Sequence, residues 1–547
     1  MSIDSTQQNS TQQAAAQETR VDAIIVGAGF AGMLMIYRLR ELGFSVCCVE
    51  MGDGVGGTWY WNRYPGARVD IESMEYSYQF SHELQQEWSW SERFAPQPEL
   101  LRYANHVADR FNLREHIRFN TRVVGADFND NDESWTVTTN SGNKIRGQFL
   151  ICATGCLSST NQPQIEGLDT FRGPVHHTGQ WPHEPVSFDG LRVGVIGTGS
   201  SAVQAIPVIA ESAGHLTVFQ RTANYSVPAR NRPMDTAYES QVKSDYLAFR
   251  ERNNRMPNGF GSNNPRGDQS ALEVSEAERL VAYEDRWQRG GLFFMGAFTD
   301  LIFDQQANDT AAEFVRQKIA ATVDDPVTAA LLQPKQTIGC KRICIDTNYF
   351  ETYNRPNVSL VDISENGIER ITPDGLITAG SEHPLDMLVL ATGFDAMTGT
   401  LLRMNIRGRG GQTLVDKWAA GPRNYLGLTT HGFPNMFMVS GPGSPSVLTN
   451  MLVSIEQHAR WIADCLAHMR SQHKRVIEAD PAAEDDWVGH VNSVADSTLY
   501  PTCNSWYLGA NVPGKPRVFM PLLGFPAYAD RCDQVVAEGY SGFVLSE

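Results

Sequence analysis

Two glycine clusters hold the residues best suited to chemistry. Gly27-Ala28-Gly29-Phe30-Ala31-Gly32 and Gly197-Thr198-Gly199-Ser200-Ser201-Ala202 share a spacing that turns the chain tightly and lets backbone N–H groups approach a pyrophosphate, with alanine accepted at the third position of the second cluster. Glu50 stands 23 residues beyond Gly27, where a carboxylate binds a ribose 2′-OH. The matching place in the second copy, 23 residues beyond Gly197, is Gln220, followed at once by Arg221 and Thr222. Losing the carboxylate and gaining an arginine suits a 2′-phosphate, so the second nucleotide is expected to be NADPH rather than NADH. A surface arginine is the plain alternative.

Three further groups lie outside these clusters. Gly57-Thr58-Trp59 belongs to an aromatic, glycine-rich segment reaching Asp70 with neither helical nor strand period, a composition that suits a flat ligand. Asp70 follows a Pro-Gly turn and reads equally well as the cap of a helix beginning near Ile71. Lys341-Arg342 places adjacent cations where the chain would re-enter the nucleotide fold, although such pairs are common on surfaces. His176-His177 and Trp181-Pro182 fall in residues 171–182, between the two clusters. Passive tethers are polar and small, so this stretch is expected to be an active joint that belongs to neither unit.

The elements that must position these groups are readable locally. Asp22 to Val26 is a β-type run, and Met33, Leu34, Tyr37, Leu39 and Leu42 then recur at helical spacing, giving strand, turn and helix. Val193 to Ile196 enters the second cluster in the same way. Trp135 to Thr139 and Lys144 to Cys152 alternate like a hairpin. Asp268 to Trp287 and Asp309 to Leu332 are charged and helix-periodic, which marks a helical insertion at about 224–334 with solvated faces. Sheet-like sequence resumes over 339–346, and Asp386 to Leu390 reads as a buried strand. Residues 441–451 hold too many breakers for regular structure and read as a loop before a helix from Val453 to Met469. Loops on a rigid scaffold are where substrates are met.

Composition bounds the function. A chain of 547 residues needs two or three domains, and a net charge of −17 argues against nucleic acid or an anionic membrane as partner. Nine cysteines include no C-x-x-C pair and no Cys/His set at zinc spacing, so disulfides, a redox dithiol and a metal site are all disfavoured. Residues 1–20 are rich in Ser, Thr, Gln and Ala and are expected to be a disordered tail. With no signal peptide and no apolar run of roughly 20 residues, a cytoplasmic location is expected.

Taken together, these residues resemble the Baeyer–Villiger monooxygenases, flavoproteins that insert oxygen beside a ketone carbonyl. Phe171, Gly173, His177, Trp181 and Pro182 match the family fingerprint F-x-G-x-x-x-H-x-x-x-W-P, flanked by both glycine clusters. Gly57-Thr58-Trp59 through Tyr64-Pro65-Gly66 to Asp70 matches a second motif, and the likeness extends from about Val21 to Leu545. The resemblance implies FAD on the first unit and NADPH on the second, with a C4a-peroxyflavin adding to the ketone and the adduct rearranging to an ester or lactone. Arg342 would stabilise the developing negative charge, and Asp70 would position its guanidinium. Arg221 and Lys341 would hold the 2′-phosphate, Trp506 would contact the nucleotide, and His177 with Trp181 would couple the domains. Ser446, Val447 and Leu448 would line the pocket with Cys156, which stands where a family member has glutamine. Leu522-Leu523 replaces a Gly-Gly pair.

The expected fold class is therefore α/β, with two Rossmann-like dinucleotide-binding domains. FAD would occupy 21–158 with 396–547, and NADP would occupy 159–395. The implied partners are a small-molecule ketone, aryl or bulky, and O2, with thioethers also accepted and no obligate protein partner. An N- or S-oxygenating flavin monooxygenase is the nearest rival. A disulfide reductase lacks its dithiol here, and a non-catalytic nucleotide sensor has no need of Asp70 and Arg342.

Overall fold

A computed structural model describes residues 18–516 and 524–547. The apolar run at the end of the strand Glu18–Val26 is buried because Val46–Val49 pairs it in parallel on one side and Lys144–Cys152 on the other. Eight strands make this first sheet, with Val123–Asn129 and Ser134–Thr139 extending it and Ile117–Arg118 at one edge. The expected hairpin is present, Ser134–Thr139 lying antiparallel to Lys144–Cys152. Two late strands return to the sheet, Ile406–Arg407 beside Val123–Asn129 and Met436–Met438 beside Lys144–Cys152.

The second sheet has five parallel strands in the order Val358–Asp362, His215–Gln220, Arg192–Ile196, Met387–Leu390 and Val175–His177. Parallel strands are covered on both faces, which is why these segments read as short continuous apolar runs. Val175–His177 corrects one expectation. Residues 171–182 are not a joint outside both units, because their centre is the edge strand of the second sheet.

Between Ser226–Pro228 and Cys344–Asp346, which pair in parallel as a narrow neck, the chain makes the helices Thr236–Ser244, Tyr246–Asn254, Glu276–Arg289, Gln305–Thr322 and Pro326–Leu332. The helix expected from Asp268 starts only at Glu276, because Ser275 and Glu278 form a capping box there. The segment from Asp309 to Leu332 is split by Pro326 into two helices.

Three further expectations change. Glu18, Thr19 and Arg20 belong to a strand rather than a tail, because they pair with Lys144, Ile145 and Arg146, a partner that local composition cannot show; the rest of that tail lies outside the described residues, as does Leu522-Leu523. Over 339–346 only Cys344–Asp346 is strand, since Gly339 turns the chain with a φ of 86°. Cys340 and Cys503 form a disulfide across 163 residues, where a search for short spacings sees nothing.

Candidate functional site

The first cradle is built by backbone. Gly27 has a φ of 102°, and a Cβ there would sit 2.6 Å from the Ala153 carbonyl oxygen, so glycine is required. The helix Phe30–Glu41 starts at Gly29 with no side chain capping it, which leaves its first N–H groups for an anion. Glu50 is buried, and its two carboxylate oxygens accept the N–H groups of Ala28 and Gly52, each at 2.8 Å. Burial raises its pKa, and those backbone N–H groups oppose the rise. Each oxygen keeps a lone pair for a diol. Gly57 seats directly on this turn, a Cβ on it falling 2.9 Å from Gly29 Cα. Thr58 opens the short helix Thr58–Trp61, and Trp59 donates from its indole nitrogen to the Tyr76 hydroxyl at 3.2 Å.

The second cradle repeats the plan. Gly197 has a φ of 114°, and the helix Ser200–Ser212 begins at Gly199 without a side-chain cap. A Cβ on Gly199 would meet nothing within 4 Å, so open space faces this turn. Thr198 donates to the Thr222 carbonyl at 2.7 Å, which fixes the Arg221-Thr222 turn beside the cradle, and the Ser200 hydroxyl lies 3.3 Å from the Cys344 sulfur. The Tyr64 hydroxyl hydrogen-bonds to Ser201. Burial and the neighbouring Arg221 charge both push the Lys341 pKa down. Neither cation has a carboxylate partner among the described residues, so an anion with several oxygens fits between them.

Between the cradles lies the constellation that joins them. The Arg342 guanidinium donates from Nε to one Asp70 oxygen at 2.5 Å and from Nη2 to the other at 2.9 Å, while Nη1 donates to the Val447 carbonyl at 2.7 Å. Burial opposes the arginine's charge, but Asp70 outweighs it and raises the pKa above the usual value; Tyr507 adds a hydrogen bond. No helix begins at Ile71, so Asp70 caps nothing. Arg342 and Asp70 keep 21% and 29% of their side-chain exposure, enough for a reactant to reach the charge.

The loop over 441–451 is almost wholly buried, and Ser446–Leu448 forms one 3-10 turn within it. Ser446 has a φ of 45° and Met397 one of 67°; such strain in non-glycine residues gathers at functional sites. Cys156, Ala396, Met397, Val447 and Tyr507 form one apolar cluster, with Leu448 and Trp506 packed on it. The buried Cys156 thiol has its pKa raised by burial, with an opposing hydrogen bond from Ser446. Tyr507, Ala396 and Met397 were missed by sequence reasoning. The sequence signal for Tyr507 is its place beside Trp506 in the irregular aromatic run from Ser505 to Asn511, whose plain reading is a packed cover over the core.

His177 sits where the chain crosses between the sheets. Its Nδ1 accepts the Gly179 N–H at 3.0 Å, which leaves Nε2 to donate to Thr392 Oγ1 at 3.2 Å, and Thr392 donates onward to the Asn161 carbonyl at 2.7 Å. Burial lowers the pKa of the ring. Trp181 is buried against His176 and Phe188. A second contact between the units runs through Gln204, which accepts from the Tyr64 hydroxyl at 2.8 Å and donates to the Arg68 carbonyl at 3.2 Å.

Residues 24–246 match the family model described as pyridine nucleotide-disulphide oxidoreductase. The chain is 42% identical over 530 residues to a Baeyer–Villiger monooxygenase of Pseudooceanicola batsensis, covering 96% of each. It is also 42% identical over 535 residues to a phenazine N-monooxygenase of Lysobacter antibioticus, covering 96% of this chain and 97% of the relative. A solved structure of oxidized steroid monooxygenase bound to NADP superposes with a TM-score of 0.92 at 50% identity, covering 97% of this chain and all of that one. Two nucleotide cradles meeting at a paired arginine define a flavin- and pyridine-nucleotide-dependent oxygenase. The chain belongs to the Baeyer–Villiger monooxygenase family, whose members use FAD, NADPH and O2 to convert ketones to esters or lactones. Among the described residues no helix is long and apolar enough to cross a membrane.

Proposed function

We propose that this chain oxygenates aryl or bulky ketones, and thioethers as well, and that Asp70 and Arg342 are its catalytic pair. Glu50 with the 27–32 turn holds the FAD ribose and pyrophosphate, while Gly197, Thr198, Gly199, Ser200 and Ser201 receive the NADPH pyrophosphate. Arg221, Thr222 and Lys341 surround the 2′-phosphate, and Trp506 touches the nucleotide. When bound, FAD reduced by NADPH supplies the activated oxygen. The chain's own contribution is electrostatic: the Arg342 guanidinium, aimed by Asp70, stands fixed where a carbonyl oxygen becomes an oxyanion, so no reorganisation is needed as charge develops. The apolar cluster of Cys156, Met397, Val447 and Tyr507 excludes water beside it. His177 and Trp181 keep the second unit in register with the first, the FAD unit being 21–158 with 396–547 and the NADP unit 159–395.

The observation that carries this reading is the two-pronged Asp70–Arg342 contact, since a softer nucleophile needs no oxyanion cation. A second reading, N-oxygenation of a heteroaromatic amine, is favoured by the phenazine N-monooxygenase relative. NADPH consumption and product mass under air, with phenylacetone, cyclohexanone, a steroid ketone, a thioether and phenazine, separate the two. Ester from at least one ketone is expected; an N-oxide from phenazine and no ester from any ketone would transfer the assignment to the second reading.

A further inference from the structure

The Cys340–Cys503 bond has its Cα atoms 5.9 Å apart, inside the range a disulfide spans without backbone movement. Its two ends sit at chemically important places. Cys340 immediately precedes Lys341 and Arg342. Cys503 stands two residues before the cover over 505–511, in which Tyr507 meets Arg342 and Trp506 lies 4.5 Å from Tyr507 between ring centroids. The far end of that cover is held by polar contacts: Asn511 donates to the Phe394 carbonyl at 2.6 Å, and Lys515 to Asp395 at 2.5 Å and the Ala396 carbonyl at 2.6 Å. One end of the cover therefore rests on the crossing between the two sheets, and the other is bonded to the loop that carries Arg342.

We propose that Cys340 and Cys503 form a redox-responsive clasp: oxidised, it holds the cover against the Lys341-Arg342 loop and retains the pyridine nucleotide, and reduced, it lets that end of the cover lift. The nucleotide part rests on the reading of Lys341 and Trp506 given above. Hydrogen peroxide, the product of turnover without an acceptor, is the oxidant. One thiolate sulfur attacks a peroxide oxygen, the O–O bond breaks, and a sulfenic acid forms with hydroxide leaving as water; the second thiol displaces the sulfenic oxygen as a second water while the S–S bond closes. Two thiols thus lose two protons and two electrons, and one peroxide becomes two waters. A dithiol reverses the step by exchange and is itself oxidised. Peroxide made in futile turnover would slow nucleotide exchange and so limit its own formation.

The test uses the FAD-loaded enzyme. Unfolding in iodoacetamide after peroxide treatment should add seven carbamidomethyl groups, one for each remaining cysteine, with a cross-linked peptide joining 340 to 503. After dithiothreitol all nine cysteines should be labelled. Nine labels after peroxide would overturn the clasp. NADP+ should then dissociate about five- to tenfold faster from the reduced than from the oxidised protein. Cys503→Ser should match the reduced rate with or without dithiothreitol, and Cys340→Ser serves as a second variant if the first fails to fold. A cross-link that forms while NADP+ leaves both states at equal rates would overturn the retention role. Failure of NADP+ to bind either state would instead overturn the nucleotide reading of Lys341 and Trp506, with the cross-link still scored by mass.

Discussion

Arg342 and Asp70 are 272 residues apart in sequence and face each other through two hydrogen bonds, from Nε and Nη2 to the two carboxylate oxygens. Asp70 follows the first glycine turn and Arg342 lies just before the strand Cys344–Asp346, so the pair is complete only when these distant segments meet. Replacing Arg342 with alanine should leave FAD bound and reduction by NADPH measurable, yet lower ester formation by about 10²-fold or more. Arg342→Lys keeps the charge without the planar fork and should recover only part of the loss. Ester formation at the wild-type rate in the alanine variant would remove this residue from the mechanism.

Arg221 lies beside Lys341 with no carboxylate partner among the described residues. Arg221→Ala should raise KM for NADPH about 10- to 100-fold, the worth of one charge-assisted contact, and leave KM for NADH nearly unchanged. Initial rates with both nucleotides check this, and an unaltered preference would count against the phosphate role.

At the crossing His177 is hydrogen-bonded to Thr392, which in turn donates to the Asn161 carbonyl. His177→Ala should keep FAD bound while increasing, by about threefold or more, the fraction of NADPH that ends as peroxide rather than product. The peroxide-to-ester ratio is the readout.

Glu75 is buried, accepts the Gly261 N–H at 2.8 Å and has one carboxylate oxygen without a partner. Burial, with the Glu72 charge adding to it, pushes its pKa up to about 8. Because the folded value is raised, the stability linked to the bound proton is fully present below the ordinary carboxyl range and is lost as pH rises through about 8. Glu75→Gln keeps an acceptor for Gly261 and never ionises. Its Tm should exceed wild type by roughly 2–4 °C at pH 9 and by less at pH 6; parallel Tm curves would refute the assignment.

The glycine turns, Glu50 and the hairpin at 134–152 were legible because each is set within about thirty residues by strand, turn and helix signals. The pairing of Asp70 with Arg342 was legible only through family resemblance, as no periodicity connects residues so far apart. Local sequence left Asp70 open as a helix cap, and the chain after it makes turns instead. Residues 171–182 looked like a joint because an edge strand of three residues carries almost no pattern. Tyr507 and Met397 entered the pocket cluster unannounced, since their partners are assembled from separate segments. The disulfide was invisible for the same reason.

The return of Met436–Met438 to the first sheet sets an order of assembly. All five strands of the second sheet lie between residues 175 and 390, so that sheet can close as soon as this stretch has left the ribosome. The first sheet begins at residue 18 but lacks its last member until residue 438. Its early strands must therefore wait, with one pairing edge open, while the later half of the enzyme is made.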